Sequence, residues 1–400
     1  MKIDRVTCEF LLGIKNLKVE NIEIGSKELH IYCKIEVDSS EDCPQCGAIV
    51  QNKRVKYERV VRDLDISGRK VYLHLAVHQY QCDCGRTFSE SFDFVAKGKS
   101  YTKRQSKYIF ELCKKQSHLE VGAIVDMSHK TVERLFYEEV ENRIKEINWK
   151  KVKRIGIDEF SFKKGKKDYI VVIVDLDTHE ILDILESRCK SFIRLYFKEL
   201  EKHCPGFLGR VKEFCSDMWG PFQDLGKELF KNALIHIDRF HWTSHLNKAL
   251  DSYRKFLRRK NKDEDAFKKL KWKVIKRTES LTKQEQLDLE KAFEEDDHFR
   301  KLYNLRNDLQ KIFDRHISKE LAELKVSDWL EKAADLNDKY LNKFIELFNR
   351  HRKNIMNYFT TRLSSGAVEG KNNLLRTVKR FTFNMTNFNN FKARVLAYSF

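Results

Sequence analysis

Proline is nearly absent from this sequence. Pro44, Pro205 and Pro221 are the three in 400 residues, which excludes flexible proline-rich linkers between domains. Long apolar runs are missing as well. No stretch is long enough to cross a bilayer, and the opening MKIDRVTCEFLLGIKNLKVE has neither the uninterrupted apolar core nor the small-residue cleavage site of an export signal. The chain is therefore expected in the cytoplasm, with no membrane partner. Negative charge is in deficit: 78 Lys and Arg face 60 Asp and Glu, leaving a net charge of +18. Such a surplus favours a polyanionic partner, because Lys and Arg release the counterions condensed on phosphates. Nucleic acid is the expected partner, although composition alone leaves acidic membrane surfaces and ribosomal RNA open.

What the sequence does contain is cysteine, ten in all. In a reducing compartment clustered thiols point to metal rather than disulfides. Cys43-Pro44-Gln45-Cys46-Gly47 is answered by Cys82-Asp83-Cys84-Gly85. A short gap followed by Gly lets a tight turn aim two thiolates at one ion, and two such turns supply four sulfurs for structural Zn²⁺. The second pair has a single residue between its cysteines, which departs from the usual spacing. His74 and His78 are rival ligands on an alternating strand. Cys8, Cys33, Cys113, Cys189, Cys204 and Cys215 are scattered and read as small packed residues.

After the alternating β texture that runs to about Val95, the period turns helical. Ile109, Leu112 and Cys113 mark one apolar face, and Ser117 is placed to cap a short helix with Val121, Ile124 and Val125. Ser128 is placed to cap another helix, which turns Val132, Leu135 and Phe136 inward and His129, Lys130, Thr131, Glu133 and Arg134 outward. A short helix, a tight turn and a helix led by small polar and basic residues is the helix-turn-helix pattern, whose second helix enters the major groove. An ordinary helical hairpin has the same pattern.

From Arg154 the chain predicts three strands, Arg154–Phe162, Tyr169–Leu176 and Glu180–Ser187. Turns at Gly165 and Asp177-Thr178 are short enough for antiparallel neighbours. A helix from Ser191, a strand VKEFCSD, a helix from Pro221 and a strand ALIHID follow. That order predicts a ribonuclease-H-like sheet. There the middle of the first strand lies beside the end of the fourth, which brings Asp158 and Asp217 together. Phosphodiester chemistry needs grouped carboxylates to hold Mg²⁺ or Mn²⁺. A third acid is expected on a helix that returns to the sheet, and SSGAVEGKNNLLRTVKRF provides Glu369. Ser364 or Ser365 would start that helix, and Lys371, Arg376, Lys379 and Arg380 would face DNA phosphates. Asp175 and Asp177 read as turn formers. Asp168 reads as solvent-facing. Asp238 also ends a strand beside the site, and with His241 it is expected to support or position rather than ligate. Trp219 is a candidate for stacking on a base, or simply for packing.

These strings together resemble insertion-sequence transposases of the ISL-three family: CPQCG with QCDCGRTF, GIDEFSF, SDMWGPF, IHIDRFHW and SSGAVEGKNNLLRTVKR, in that order over nearly the whole chain. The resemblance implies a DDE-type transposase with Asp158, Asp217 and Glu369 as catalytic, Mg-binding acids. It also implies double-stranded DNA partners (terminal inverted repeats and target DNA) and a bacterial, nucleoid-associated setting. By analogy with paired synapsis of ends, a homodimer or higher oligomer is expected. The expected fold is α+β multidomain. Residues 1–98 form an N-terminal β segment and zinc-finger module, and 99–150 a helix-turn-helix. Residues 151–245 form the first part of a ribonuclease-H-like α/β catalytic core, 246–362 an all-helical insertion, and 363–400 the last part of the core. Basic runs in the insertion, such as RKFLRRKNK and FKKLKWKVIKR, are candidates to follow the DNA backbone or to form a solvated helical face. A non-catalytic domesticated regulator and a nuclease without joining activity are the competing functions.

Overall fold

The structure is a computed structural model that describes residues 4–35, 40–51, 53–96, 98–163, 168–260, 264–363, 366–382 and 385–399. It divides into two compact units, Met1–Lys145 and Glu146–Phe400. No helix among the described residues is long and apolar enough to cross a membrane.

The first unit opens with helix α1 (Arg5–Leu12), capped by Asp4, followed by strands β1 (Leu17–Ile24) and β2 (Glu28–Ile35). The two-residue strands β3 (Glu41–Asp42) and β4 (Ile49–Val50) pair with each other. The long strands β5 (Lys53–Ile66) and β6 (Arg69–Gln81) and the short β7 (Thr87–Ser89) complete it. The main sheet runs β1-β2-β6-β5, with β7 added to β6. Alternation drives it: Val71, Leu73, Leu75 and Val77 of β6 are buried between half-exposed neighbours, as a one-sided sheet requires. Ser67 and Gly68, both at positive φ, make the two-residue turn between β5 and β6.

Three helices follow: α2 (Lys103–Lys115), α3 (His118–Val125) and α4 (His129–Glu146). Buried Asp63 on β5 accepts from Thr102 Oγ1 (2.7 Å) and Arg104 Nε (2.7 Å), which fixes the start of α2. Ser117 caps α3 in a full capping box with Glu120, and Asp126 ends it at φ 51°. Gly122 is required by the close turn, because a Cβ there would lie 2.7 Å from the Met127 carbonyl oxygen. The Thr131 N–H donates to Ser128 Oγ (3.2 Å) at the head of α4, a cap typically worth about 1 kcal/mol.

The second unit begins with β8 (Arg154–Lys163), β9 (Asp168–Asp175) and β10 (Ile181–Leu185). Then come α5 (Lys190–His203), α6 (Phe207–Arg210), β11 (Glu213–Ser216), α7 (Gly220–Leu229) and β12 (Leu234–Ile237). The sheet order is β10-β9-β8-β11-β12. β8, β9 and β10 are antiparallel neighbours, whereas β11 is parallel to both β8 and β12. These strands lie within a few residues of those read from the sequence. The expected turn residue Gly165 falls outside the described residues. On one face Ile155, Ile157, Val171, Ile173 and Phe214 pack with Ile193, Phe197 and Phe222 of α5 and α7.

Helices α8 (Arg239–Lys260), α9 (Glu264–Lys269), α10 (Lys283–Glu295), α11 (Asp297–Asp314), α12 (Lys319–Asp335), α13 (Lys339–Met356) and α14 (Tyr358–Thr361) form an α-helical body. Its apolar core includes Trp242, Leu250, Phe299, Phe313, Val326 and Phe348. The body is fastened to the sheet by hydrogen bonds. Asn357 Nδ2 donates to the Ile235 carbonyl (2.8 Å), and Asn354 Nδ2 donates to Gln223 Oε1 (2.7 Å) on α7. Two last helices, α15 (Gly366–Phe381) and α16 (Phe388–Ser399), cover the other sheet face, where Phe391 meets Phe160 and Phe162. Ser364 and Ser365, the expected helix start, lie outside the described residues.

Candidate active site and metal sites

The cysteine site is built by its two turns. Cys43 N–H donates to the Ala48 carbonyl, and Gly47 N–H to the Cys43 carbonyl, both at 2.9 Å. On the other side Cys82 N–H reaches the Arg86 carbonyl and Gly85 N–H the Cys82 carbonyl, again at 2.9 Å. Gly47 and Gly85 sit at φ 72° and 85°, the left-handed region that lets even the one-residue gap of the second turn close. Cys43 Sγ lies 3.7 Å from Cys84 Sγ, and Cys46 Sγ lies 3.5 Å from Cys82 Sγ. All four sulfurs fall within 4.8 Å of one another. Although desolvation opposes it, N–H groups from Cys46 and Gln45 and the adjacent sulfurs lower the Cys43 thiol to about 6. Cys82 moves the other way, up to about 12: the Cys84 N–H lowers it, but burial and the neighbouring sulfurs outweigh that. Four soft sulfurs brought this close suit a structural zinc. His74 and His78 are not part of it: His74 Nδ1 is 2.9 Å from Glu58 Oε1, and His78 Nδ1 is 3.1 Å from Glu90 Oε2.

The acid site is assembled by strand register. Glu213 of β11 pairs with Arg154 of β8 and with Leu234 of β12, and Ser216 pairs with Ile237. Continued to the strand ends, the same register sets Asp217 level with Asp158 on one side and with Asp238 on the other. Parallel partners point to the same face, so three aspartates form a row across β8, β11 and β12. The loop after β11 is held by Gln223 Nε2, which donates to Ser216 Oγ (2.7 Å) and the Asp217 carbonyl (2.9 Å). Asp217 Oδ1 accepts from Trp219 N–H (2.9 Å), and Asp238 Oδ1 accepts from Phe240 N–H (2.9 Å) where α8 begins.

His241 stands between the carboxylates, with Nε2 3.8 Å from Asp158 Oδ1 and 3.7 Å from Asp238 Oδ2. From the opposite helix, Asn372 Nδ2 donates to Asp158 Oδ2 at 2.6 Å. Glu369 lies one helical turn before Asn372 on α15, on the same side of the helix, and is exposed. Burial pushes the Asp158 carboxyl up to about 6, and the neighbouring Asp217 adds to the effect; His241, the Glu159 N–H and Asn372 pull the other way. Burial also raises Asp217, with Glu159 and Asp238 contributing. Crowded carboxylates that resist ionisation are a donor set for a hard divalent cation. Among the described residues, the four cysteines are the group of three or more such side chains drawn close enough to hold an ion; the acids are not so gathered.

Other expected residues fall into place unevenly. His129, Lys130 and Arg134 are exposed along the start of α4, and Thr131 is half-buried there. Arg376 and Arg380 are exposed and Lys371 is half-buried on α15. Lys379 is engaged with β8: its ammonium donates to the Ser161 carbonyl (3.2 Å) and to that of Phe162. Asp175 accepts from the Asp177 N–H (2.8 Å), the turn role expected of it, and Asp168 is half-buried beside Lys163 (3.3 Å). In the run RKFLRRKNK, Arg254 is buried, bound to Asp251 and the Phe267 carbonyl; Asn261 and Lys262 lie outside the described residues. In FKKLKWKVIKR, Lys273 and Lys276 pair with Asp288 and Glu285. Asn372 was missed in the sequence; its signal was its place one turn beyond Glu369. A second omission is Arg188, described below.

A family model of transposases, the ISL3 DDE type, matches residues 155–395, a span that contains Asp158, Asp217, Asp238, His241 and Glu369. The chain belongs to the ISL3 transposase family. A further family model, the zinc-finger of transposase IS204/IS1001/IS1096/IS1165, matches residues 39–84 and so includes all four clustered cysteines. The transposase for insertion sequence element IS1001 from Bordetella parapertussis is 24% identical over 387 residues, 94% of each chain. As a member of this family, the protein carries its zinc ribbon as a four-cysteine site, with a helical C-terminal region after the mixed α+β part.

Proposed function

We propose that this transposase binds the ends of an insertion sequence and cuts and joins DNA strands at a site made by Asp158, Asp217 and Glu369. The observation that carries the reading is the aspartate row, with α15 reaching back to it through the Asn372–Asp158 hydrogen bond. The sheet order β10-β9-β8-β11-β12 supports a ribonuclease-H-like core made of residues 151–245 and 363–400, with 246–362 as its helical insertion. Residues 1–98 would be the zinc module with its β segment, and 99–150 the DNA-reading helix-turn-helix.

Asp158, Asp217 and Glu369 would hold Mg²⁺ or Mn²⁺ through hard oxygen ligands. Divalent cations there would activate an attacking hydroxyl and stabilise the leaving oxygen at a scissile phosphate. The protein's own groups orient that set. Asn372 fixes one Asp158 oxygen, the Trp219 N–H fixes one of Asp217, and His241 bridges toward Asp238. Asp238 caps α8 and supports the row. His129, Lys130, Thr131 and Arg134 on α4 would enter the major groove of a terminal repeat, and Lys371, Arg376 and Arg380 would meet phosphates. Joining two ends to target DNA calls for a homodimer or higher oligomer.

The test is a gel assay with labelled element ends and target DNA in Mg²⁺. The reading expects hydrolysis followed by joined products. End binding with no product would favour a non-catalytic regulator, and hydrolysis alone a nuclease.

A further inference from the structure

Arg188 occupies the loop between β10 and α5, where several groups restrain its guanidinium. Nη1 donates to Glu159 Oε2 at 2.6 Å. Its guanidinium carbon lies 4.2 Å from the ring centre of Tyr169 and 5.0 Å from that of Trp219. Trp219 in turn packs edge-on against Phe222 at 4.8 Å. Two aromatic rings and a carboxylate therefore restrain a planar cation before any ligand arrives, while its side chain keeps 35% of its surface exposed.

Its position relates it to the acid row. Glu159 follows Asp158 on β8, and Trp219 follows Asp217 by two residues and donates its N–H to that carboxylate. Arg188 thus stands beside Asp217 at the end of β11, while Glu159, next to Asp158 in the middle of β8, turns its side chain to the opposite sheet face. A strand of DNA brought to that row carries its own negative charge into a field of carboxylates. Glu159 already balances the charge of Arg188, so what the guanidinium offers a phosphate is directed N–H groups on its exposed edge, which match phosphate oxygens. A half-exposed Arg–Glu pair stabilises a fold little, so a purely structural role accounts poorly for an arginine built in so carefully.

We propose that Arg188 binds a non-bridging phosphate of the DNA strand being cut, adjacent to the scissile position, with Tyr169, Trp219 and Glu159 holding its guanidinium in place. The inference rests on the reading of Asp158, Asp217 and Glu369 as the cutting site. It names a contact that reading does not require.

The test uses the full zinc-loaded chain and labelled element ends in Mg²⁺, with single-turnover cutting and end affinity measured separately. Arg188→Ala is expected to slow cutting by about 100-fold, the scale for removing one oxyanion donor, with little change in end affinity. Arg188→Lys should recover only part of the rate, since an ammonium lacks the fork. The second measurement needs no variant to fold. In the unaltered protein, a single neutral methylphosphonate is stepped through the phosphates flanking the cut, and one position should slow cutting as Arg188→Ala does. At that position the two changes combined should be no worse than either alone. Independent, multiplying effects at every position, or an unchanged rate for Arg188→Ala, would overturn the proposal. If Asp158→Asn still cuts, the cutting site itself is misread. If Asp158→Asn is inactive while Arg188→Ala is fully active, only the Arg188 proposal fails.

Discussion

The four-cysteine cluster and the proposed acid site are built in opposite ways. The cysteine site uses two short turns whose glycines and backbone hydrogen bonds aim four sulfurs inward within 4.8 Å. The proposed acid site joins that row of aspartates to a helix, with residues as far apart in sequence as Asp158 and Glu369. Glu369, proposed as its third acid, is exposed. A structural site closes around its ion, whereas a catalytic one must keep room for substrate. The comparison also divides the labour: damage to the first should cost structure and zinc, and damage to the second should cost chemistry alone.

The acid side should be the more sensitive of the two. Asp158→Asn, Asp217→Asn or Glu369→Gln should lower strand cutting by at least about 1,000-fold while zinc content and end binding persist. A gel assay beside elemental analysis reads both, and any of the three variants that cuts at full rate leaves the triad. On the cysteine side, Cys43→Ser combined with Cys46→Ser should reduce bound zinc from about one per chain to nearly none and lower the melting temperature of the first unit. Unchanged zinc would show that other ligands hold it.

Acidity sharpens the contrast further. With its carboxyl raised to about 6, Asp158 holds a proton at pH 5 and must lose it to a cation. The upward shift in melting temperature on adding Mg²⁺ should therefore be small at pH 5 and grow as pH rises past 6. A shift equal at both ends of that range contradicts the role given to Asp158. A smaller effect is expected at Asn372→Ala. Losing one hydrogen bond to a ligating carboxylate should slow cutting by about 10-fold, without removing end binding.

Much of the second unit was legible because its strands announce themselves. YIVVIVD is dense in β-branched residues, and the turn acids Asp175 and Asp177 mark where the chain reverses. The pairing of Asp158 with Asp217 followed from strand order alone. Asp238 is legible as a strand end beside the site, but its place in the same row depends on register, which sequence does not print. Arg188 and Tyr169 were invisible as partners, because cation–π contacts between separate loops and strands leave no periodic trace. The fate of individual basic residues was equally hidden. Arg254 is buried and Lys379 ties α15 to β8, although in sequence each looks like its exposed neighbours. In the first unit the glycines after each cysteine pair carried the decisive signal, since only a left-handed turn rescues the one-residue gap.

The most direct test of the central claim is an anomalous difference map from crystals of the full chain bound to an element end in Mn²⁺. Density for the metal is expected in contact with the carboxylates of Asp158, Asp217 and Glu369. Manganese bound elsewhere, with Glu369 turned away from Asp158 and Asp217, would contradict it.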